Sequence, residues 1–409
     1  MRHKRRKTNT RLNIFYLCEP KFYPHKTTLL PAFMKKIQMV DLKGQYEKLS
    51  QEIDNAVLNV IRSTQYINGP EVKFFQQELE TYLGIKHVIP CANGTDALQV
   101  AMMALDLKPG DEVLTTSFTF VATVEVIALL GLTPVLVDVD PLTFNLDPGA
   151  LRKAITPKSK AVVPVHLFGQ CADMEAILDI SREHNLYVIE DNAQAIGADF
   201  RFGDGTTKKA GTLGTIGCTS FFPSKNLGCY GDGGALFTHD DDLAQRMRVI
   251  VNHGMEVRYY HDSIGVNSRL DSIQAAILRI KLRQLDQYAQ ARRAAADYYD
   301  YAFANNPKLL TPKRAGNSTH VFHQYTLITR DVDRFGLQEF LQSKDIPAMV
   351  YYPVPMHMQK AYTDPRYKEG DFPVTEELSR CVISLPMHTE LDDEQLKYIS
   401  TSVLEYVNK

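Results

Sequence analysis

The chain has almost no net charge: 46 Lys and Arg face 48 Asp and Glu, leaving −2 over 409 residues. Without a surplus of either sign there is no electrostatic footprint for nucleic acid or an anionic membrane. Cysteine is sparse. Cys18, Cys91, Cys171, Cys218, Cys229 and Cys381 lie far apart, with no paired CxxC spacing for zinc or a redox dithiol, and read as reduced thiols of a cytoplasmic protein. No apolar run approaches the roughly eighteen residues of a bilayer span. No Walker-type phosphate loop is present, and no GxGxxG opens the first helix with an acid about twenty residues on, which excludes P-loop and dinucleotide-binding chemistry. No repeat or low-complexity tract appears. What remains is a soluble enzyme acting on small molecules.

At 44% hydrophobic, 409 residues can bury a large core and call for more than one domain. Residues 1–33 stand apart: Arg2, Lys4, Arg5, Arg6, Lys7 and Arg11 precede any acid, and no sustained apolar segment follows as a secretory signal requires. They read as a disordered extension or the product of an upstream start, with Met34 a natural beginning. From there β-rich runs at 88–90, 112–116, 134–139, 161–168, 186–190, 218–222 and 235–238 alternate with helical runs such as 96–105, 121–130 and 174–183. This alternation predicts an α/β fold with a mainly parallel sheet covered on both faces, whose ligands bind beyond the carboxyl ends of the strands. A long helical segment over 270–303 with Ile273, Ile277 and Ile280 on one face leads out of it. A strand at 323–328 and helices at 334–344 and 393–407 predict a smaller α+β unit. The expected division is a large domain over 34–283 and a small one over 284–409.

The most informative stretch is Ser220-Phe221-Phe222-Pro223-Ser224-Lys225-Asn226-Leu227-Gly228, running into Gly231-Asp232-Gly233-Gly234. A lysine after a strand and before a glycine-rich turn is either a surface residue or, desolvated, an amine of lowered pKa able to form a Schiff base. Four more constellations fall where the sheet presents a ligand site. Asn93-Gly94-Thr95-Asp96 offers free N–H groups, a hydroxyl and a helix dipole to a phosphate, though glycine there also serves conformation alone. Asp191 ends the apolar run 186–190, as a helix cap or as the partner of a heterocyclic nitrogen. Phe120, in Thr115-Thr116-Ser117-Phe118-Thr119-Phe120, reads as core packing or as a platform for a planar ring. Asn267 and Arg269 precede the Ile-striped helix, where Asn267 reads as its cap and Arg269 as a surface ion-pair partner.

Taken in order, Asn-Gly-Thr-Asp-Ala-Leu, Phe-Thr-Phe-Val-Ala-Thr, Glu-Asp-Asn-Ala-Gln, Phe-Phe-Pro-Ser-Lys-Asn-Leu-Gly and Asn-Ser-Arg-Leu-Asp-Ser-Ile-Gln-Ala-Ala resemble the DegT/DnrJ/EryC1/StrS family of pyridoxal phosphate-dependent nucleotide-sugar aminotransferases, from about Gln38 onward. The resemblance implies the type I aminotransferase fold and pyridoxal 5'-phosphate as cofactor. By motif, Lys225 matches the Schiff-base lysine and general base, Asp191 the partner of the pyridine nitrogen and Phe120 the stacking residue. Gly94, Thr95 and Ser220 match the phosphate holders, and Gln194 the residue near the phenolic oxygen. Asn267 matches a residue reaching the phosphate from a neighbouring subunit, which implies a homodimer with shared sites.

The resemblance further implies L-glutamate as donor and a UDP- or dTDP-linked keto-hexose as acceptor, for amino sugars of surface polysaccharide. Gln194 resembles the form found in enzymes aminating the third carbon; other positions and a noncatalytic regulatory protein on the same fold are the alternatives. His320 to Tyr325 and Val350 to His357 resemble the wall facing the sugar, which makes His323, Tyr351 and Tyr352 substrate-side candidates. Arg269 resembles a clamp on a sugar carboxylate, whereas Tyr351 stands where the uronic acid enzymes prefer histidine. His320 and His323 lack a further acid or Cys in register, so no metal is expected.

Overall fold

Strands buried on both faces need apolar residues at consecutive positions, because neighbouring side chains point to opposite faces and each must meet a hydrophobic layer. The main strands obey this. Val113 packs on one side of the sheet, with Leu98, Val100 and Met102, while its neighbour Leu114 packs on the other, with Leu151 and Ile177. Each such burial contributes about 1.5–3 kcal/mol. The computed structural model describes residues 34–409, so the expectation for residues 1–33, with Cys18, lies outside the described residues.

The strands are β1 (His87–Cys91), β2 (Glu112–Thr116), β3 (Thr133–Val137), β4 (Ser159–Val163), β5 (Tyr187–Asp191), a short ribbon of β6 (Asp199–Arg201) and β7 (Thr207–Lys209), then β8 (Ile216–Ser220) and β9 (Gly234–Thr238). Seven of them form one sheet in the order β1-β9-β8-β5-β4-β2-β3. Within it β9 alone runs antiparallel to its neighbours, and the other pairs are parallel. The helices of this part are α1 (Leu42–Ser63), α2 (Pro70–Leu83), α3 (Gly94–Ala104), α4 (Ala122–Leu129), α5 (Pro148–Ala154), α6 (Met174–Glu183), α7 (Asp241–Ile250) and α8 (Ser272–Leu282). This is the α/β architecture that the alternation of runs predicts, a mainly parallel sheet flanked by helices.

A second core surrounds the three-stranded antiparallel sheet of β10 (Leu309–Leu310), β11 (Tyr325–Thr329) and β12 (Val382–Leu385). It is covered by α9 (Leu285–Phe303), α10 (Arg334–Ser343) and α12 (Asp393–Val407). Helix α12 starts on a capping box between Asp392 and Gln395. Ile37, ahead of α1, is buried in this core. Helix α11 (Pro373–Cys381) bridges to the end of the main sheet.

The structure trims several predicted boundaries. The run 161–168 stops as a strand at Val163, because Pro164 has no N–H for the ladder and Phe168 turns to a φ of 57°. The segment 270–303 is two helices. They part at Arg283–Gln284, where Gln284 N–H closes a tight bond to the Lys281 carbonyl and Leu285 enters the core beside α2. The cap of α8 is Asp271, not Asn267.

Candidate active site

The register of three strands builds the first part of the site. Gly234, at the start of β9, is paired on one side with Cys91 at the end of β1 and on the other with Ser220 at the end of β8. The two loops that follow Cys91 and Ser220 therefore meet at one place. A side chain at Gly234 would drive its Cβ to 2.4 Å from the Asn93 carbonyl carbon, and one at Gly94 would bring Cβ to 2.7 Å from the Ser220 Cβ. Asn93 Oδ1 accepts the Asp96 N–H at 2.8 Å and fixes the start of α3. The N–H groups of Gly94 and Thr95 stand outside the helical ladder. Gly94, Thr95 and Ser220 thus form a small concave rim of backbone N–H groups and hydroxyls at a helix N-terminus, suited to a phosphate.

The second part is a pair of adjacent carboxylates at the end of β5. Asp191, 7% exposed, accepts the Thr123 hydroxyl at 2.8 Å and the Ala193 N–H at 3.2 Å. Glu190 is fully buried. It accepts the N–H groups of Gly211, Leu213 and Gly214 at 2.8, 2.6 and 2.6 Å, and meets His166 Nε2 at 2.8 Å. His166 Nδ1 accepts the Ala172 N–H, which leaves the ring proton on Nε2, pointing at Glu190. Glu190 is an anchor for the strand end, and Asp191 is the carboxylate turned to the site.

Lys225 sits on the loop 221–233 between β8 and β9, beyond the strand end rather than on it. The loop is tight: the Lys225 N–H bonds the Phe222 carbonyl at 2.8 Å, and a Cβ on Gly228 would lie 2.3 Å from the Pro223 carbonyl oxygen. Burial pushes the Lys225 amine down to about 8, against the opposing pull of the Asp191 charge. The side chain keeps part of its surface open. His323, on the stretch entering β11, is buried and held neutral: burial, then the charges of Lys225 and Arg292, push it well below its usual range. Its Nδ1 has no hydrogen-bond partner.

The third part is an aromatic wall. Phe120, 54% exposed, lies 6.3 Å from the Tyr352 ring. The Tyr352 hydroxyl accepts Gln194 Nε2 at 3.1 Å, and Gln194 Oε1 accepts the Phe168 N–H at 2.7 Å. Tyr351 packs edge-on to Tyr352, and burial raises its phenol.

The structure thus brings Lys225 near enough to Asp191 and to His323 for charge to act between them, sets Gly94 against Ser220, and joins Gln194 through Tyr352 to Phe120. It treats Asn267 and Arg269 differently. Ser268 between them is fully buried and its Oγ accepts the Ala92 N–H at 3.0 Å, while Asn267 is exposed and Arg269 partly so. Sequence reasoning missed Thr123, Glu190 and His166. Thr123 closes the Phe-Thr-Phe-Val-Ala-Thr motif, three residues after Phe120 and in the first turn of α4; nothing in sequence marked His166, whose partner is 24 residues away. Among the described residues no cluster of His, Cys, Asp and Glu could hold a metal ion, and no helix is long and apolar enough to cross a membrane.

Residues 47–404 match the profile of the DegT/DnrJ/EryC1/StrS aminotransferase family. A Geobacillus stearothermophilus protein described as a pleiotropic regulatory protein is 47% identical over 372 residues, 90% of this chain and 98% of that one. UDP-2-acetamido-2-deoxy-3-oxo-D-glucuronate aminotransferase of Pseudomonas aeruginosa is 46% identical over 367 residues, 90% and 99% of the two chains. The crystal structure of S. venezuelae DesV matches with a TM-score of 0.88 at 38% identity, covering 92% of this chain and all of that one.

Proposed function

This chain belongs to the DegT/DnrJ/EryC1/StrS aminotransferase family, and we propose that it uses pyridoxal 5'-phosphate to move an amino group from L-glutamate to the third carbon of a UDP- or dTDP-linked keto-hexose, toward surface polysaccharide. The observation that carries this is a buried lysine on the loop between β8 and β9, close enough to the strand-end Asp191 to feel its charge, beside the close-packed rim of Gly94, Thr95 and Ser220 at a helix N-terminus.

The residues present fit the cofactor. Gly94, Thr95 and Ser220 would hold its phosphate, and the open face of Phe120 would take its ring. Asp191, fixed by Thr123, would keep a proton on the ring nitrogen by charge pairing. Gln194, whose Oε1 accepts Phe168 N–H and whose Nε2 gives one hydrogen to Tyr352, has its second amide hydrogen to offer the phenolic oxygen. Bound there, the cofactor supplies an electron sink for the pair left when a proton departs the donor's α-carbon.

Lys225 is the tether and the proton carrier. With its amine pushed down to about 8, a useful fraction is neutral near neutral pH and able to take a proton from carbon and return it. The outward-facing Asn267 and Arg269 would serve a second copy of the chain, Asn267 reaching its phosphate and Arg269 its substrate. His323, Tyr351 and Tyr352 line the sugar side. Amination at the third carbon is supported by Gln194 and by the 3-oxo sugar in the name of the P. aeruginosa relative. A regulatory role is favoured by the description of the Geobacillus relative.

The deciding experiment is the absorbance spectrum of the pyridoxal phosphate-loaded protein before and after L-glutamate. A visible band that glutamate bleaches, and that Lys225→Ala lacks together with all turnover, supports the reading. A coloured protein that glutamate leaves unchanged would refute the donor, and failure to take up the cofactor would refute the function.

A further inference from the structure

Beyond the end of β2 lies a buried chain of polar groups that the proposed chemistry does not use. Ser117 Oγ meets His357 Nδ1 at 2.8 Å, and His357 Nε2 meets Glu376 Oε1 at 3.1 Å. The same carboxylate oxygen accepts the Gly370 N–H at 2.7 Å. Ser117 is fully buried, and His357 and Glu376 are 6% and 5% exposed. Serine, imidazole and carboxylate in this order form a hydrolytic triad when the hydroxyl is open to substrate, but Ser117 has no open surface. The chain has another use. The Ser117 carbonyl also accepts the Met356 N–H at 2.9 Å and Ser117 Oγ the His357 N–H at 3.4 Å, so the stretch after Tyr352 is fastened three times to the residue three positions before Phe120.

The same stretch is fastened again further on. Asp138, past β3, accepts Val374 N–H, Thr375 N–H and the Thr375 hydroxyl at 3.1, 2.9 and 2.7 Å, and the Tyr367 hydroxyl accepts the Leu136 N–H at 3.0 Å. Regular structure between α10 and α11 is limited to two three-residue 3-10 turns and the bridge of Met349 to Ser384, so beyond that bridge its course is set largely by side-chain bonds.

We propose that Ser117, His357 and Glu376 form a buried latch that sets Tyr352 and Phe120 at their working distance, making all three positioning residues of the site. What Phe120 and Tyr352 face rests on the function proposed above; the latch itself rests on the contacts. Its role is geometric. His357 needs a hydroxyl to meet at one end and an acceptor oxygen at the other, and an amide oxygen can serve Nε2–H and the Gly370 N–H as well as a carboxylate does.

The test compares Ser117→Ala, Glu376→Ala and Glu376→Gln with the wild type by two measurements. Amide hydrogen exchange on the cofactor-free protein reads residues 351–358 against residues 87–104 as an internal reference. Pyridoxal phosphate affinity, with the position of the visible band, reads Phe120. The two alanine variants should exchange at least about tenfold faster in 351–358 with the reference unchanged, and bind the cofactor about three- to tenfold more weakly as stacking on Phe120 loosens. Glu376→Gln should restore both to within about twofold. Folded alanine variants with wild-type exchange in 351–358 would overturn the latch, as would Glu376→Gln behaving like Glu376→Ala, which would make the carboxylate's charge the operative feature. A wild type that takes up no cofactor would overturn the proposed function, while the exchange comparison would still judge the latch.

Discussion

The two sides of the site are held by different kinds of structure. On the side proposed to hold a phosphate, the chain packs at or beside the backbone: Gly234 against Asn93, Gly94 against the Cβ of Ser220, Gly228 against the Pro223 carbonyl. These pieces hang from strands whose register leaves no play. On the side proposed to face the sugar, the wall is an irregular stretch pinned by hydrogen bonds from side chains of Ser117, Asp138, His357 and Glu376. A phosphate is the same in every ligand and suits a fixed backbone cradle, whereas a wall held by side chains can be changed one residue at a time. Binding residues on loops over a rigid scaffold are the usual seat of specificity.

If that contrast is right, the largest effect comes from the backbone side. Gly228→Ala places a Cβ on a carbonyl oxygen that no side-chain rotation can relieve. It should lower stability by about 1–3 kcal/mol and abolish cofactor uptake, read by thermal melting and by the visible band. A variant that melts and colours like the wild type would remove the claim that this loop is held by close packing.

A smaller effect concerns Lys225. Its amine is pushed down to about 8 from the ordinary value near 10.5, chiefly by burial. Only the neutral amine attacks the aldehyde, so the initial rate of cofactor uptake by the cofactor-free protein should rise with pH up to about 8 and level off above it. A rate still climbing toward pH 10 would mean that the loop leaves the amine in water.

The smallest effect belongs to the wall. Tyr352→Phe removes the hydroxyl that Gln194 meets at 3.1 Å, a bond worth about 0.5–1.5 kcal/mol. It should alter keto-sugar turnover by no more than about tenfold and leave glutamate bleaching of the visible band intact. A Tyr352→Phe protein more damaged than Gly228→Ala would invert the comparison.

The sequence made the backbone side legible because its physics is local. Asn93-Gly94-Thr95-Asp96 is cap, glycine and first turn in consecutive positions, and the strand-end Asp191 follows a run buried at every position from Val188 on. The wall was read less completely because its contacts join residues far apart: Ser117 to His357 and Asp138 to Thr375 are each separated by more than two hundred positions. The predicted strand over 161–168 hid His166, since apolar patterning cannot show that Pro164 ends the ladder and turns the imidazole back toward Glu190. Asn267 was legible as a motif but not as a direction, which became visible only when Ser268 proved to be the buried member of its segment.

The antiparallel β9 bears on the order in which this molecule is made. Residues 87–91 leave the ribosome early, yet their hydrogen-bonded neighbours are residues 234–238. Until those arrive, β1 has an open edge on that side, and the rim of Gly94 and Ser220 cannot close because Gly234 is the pin between its halves. Such long-range pairing makes late closure the slow event in assembly. A nascent chain shorter than this lacks the strand that brings Gly94 and Ser220 together, so on the proposed function cofactor uptake waits for β9.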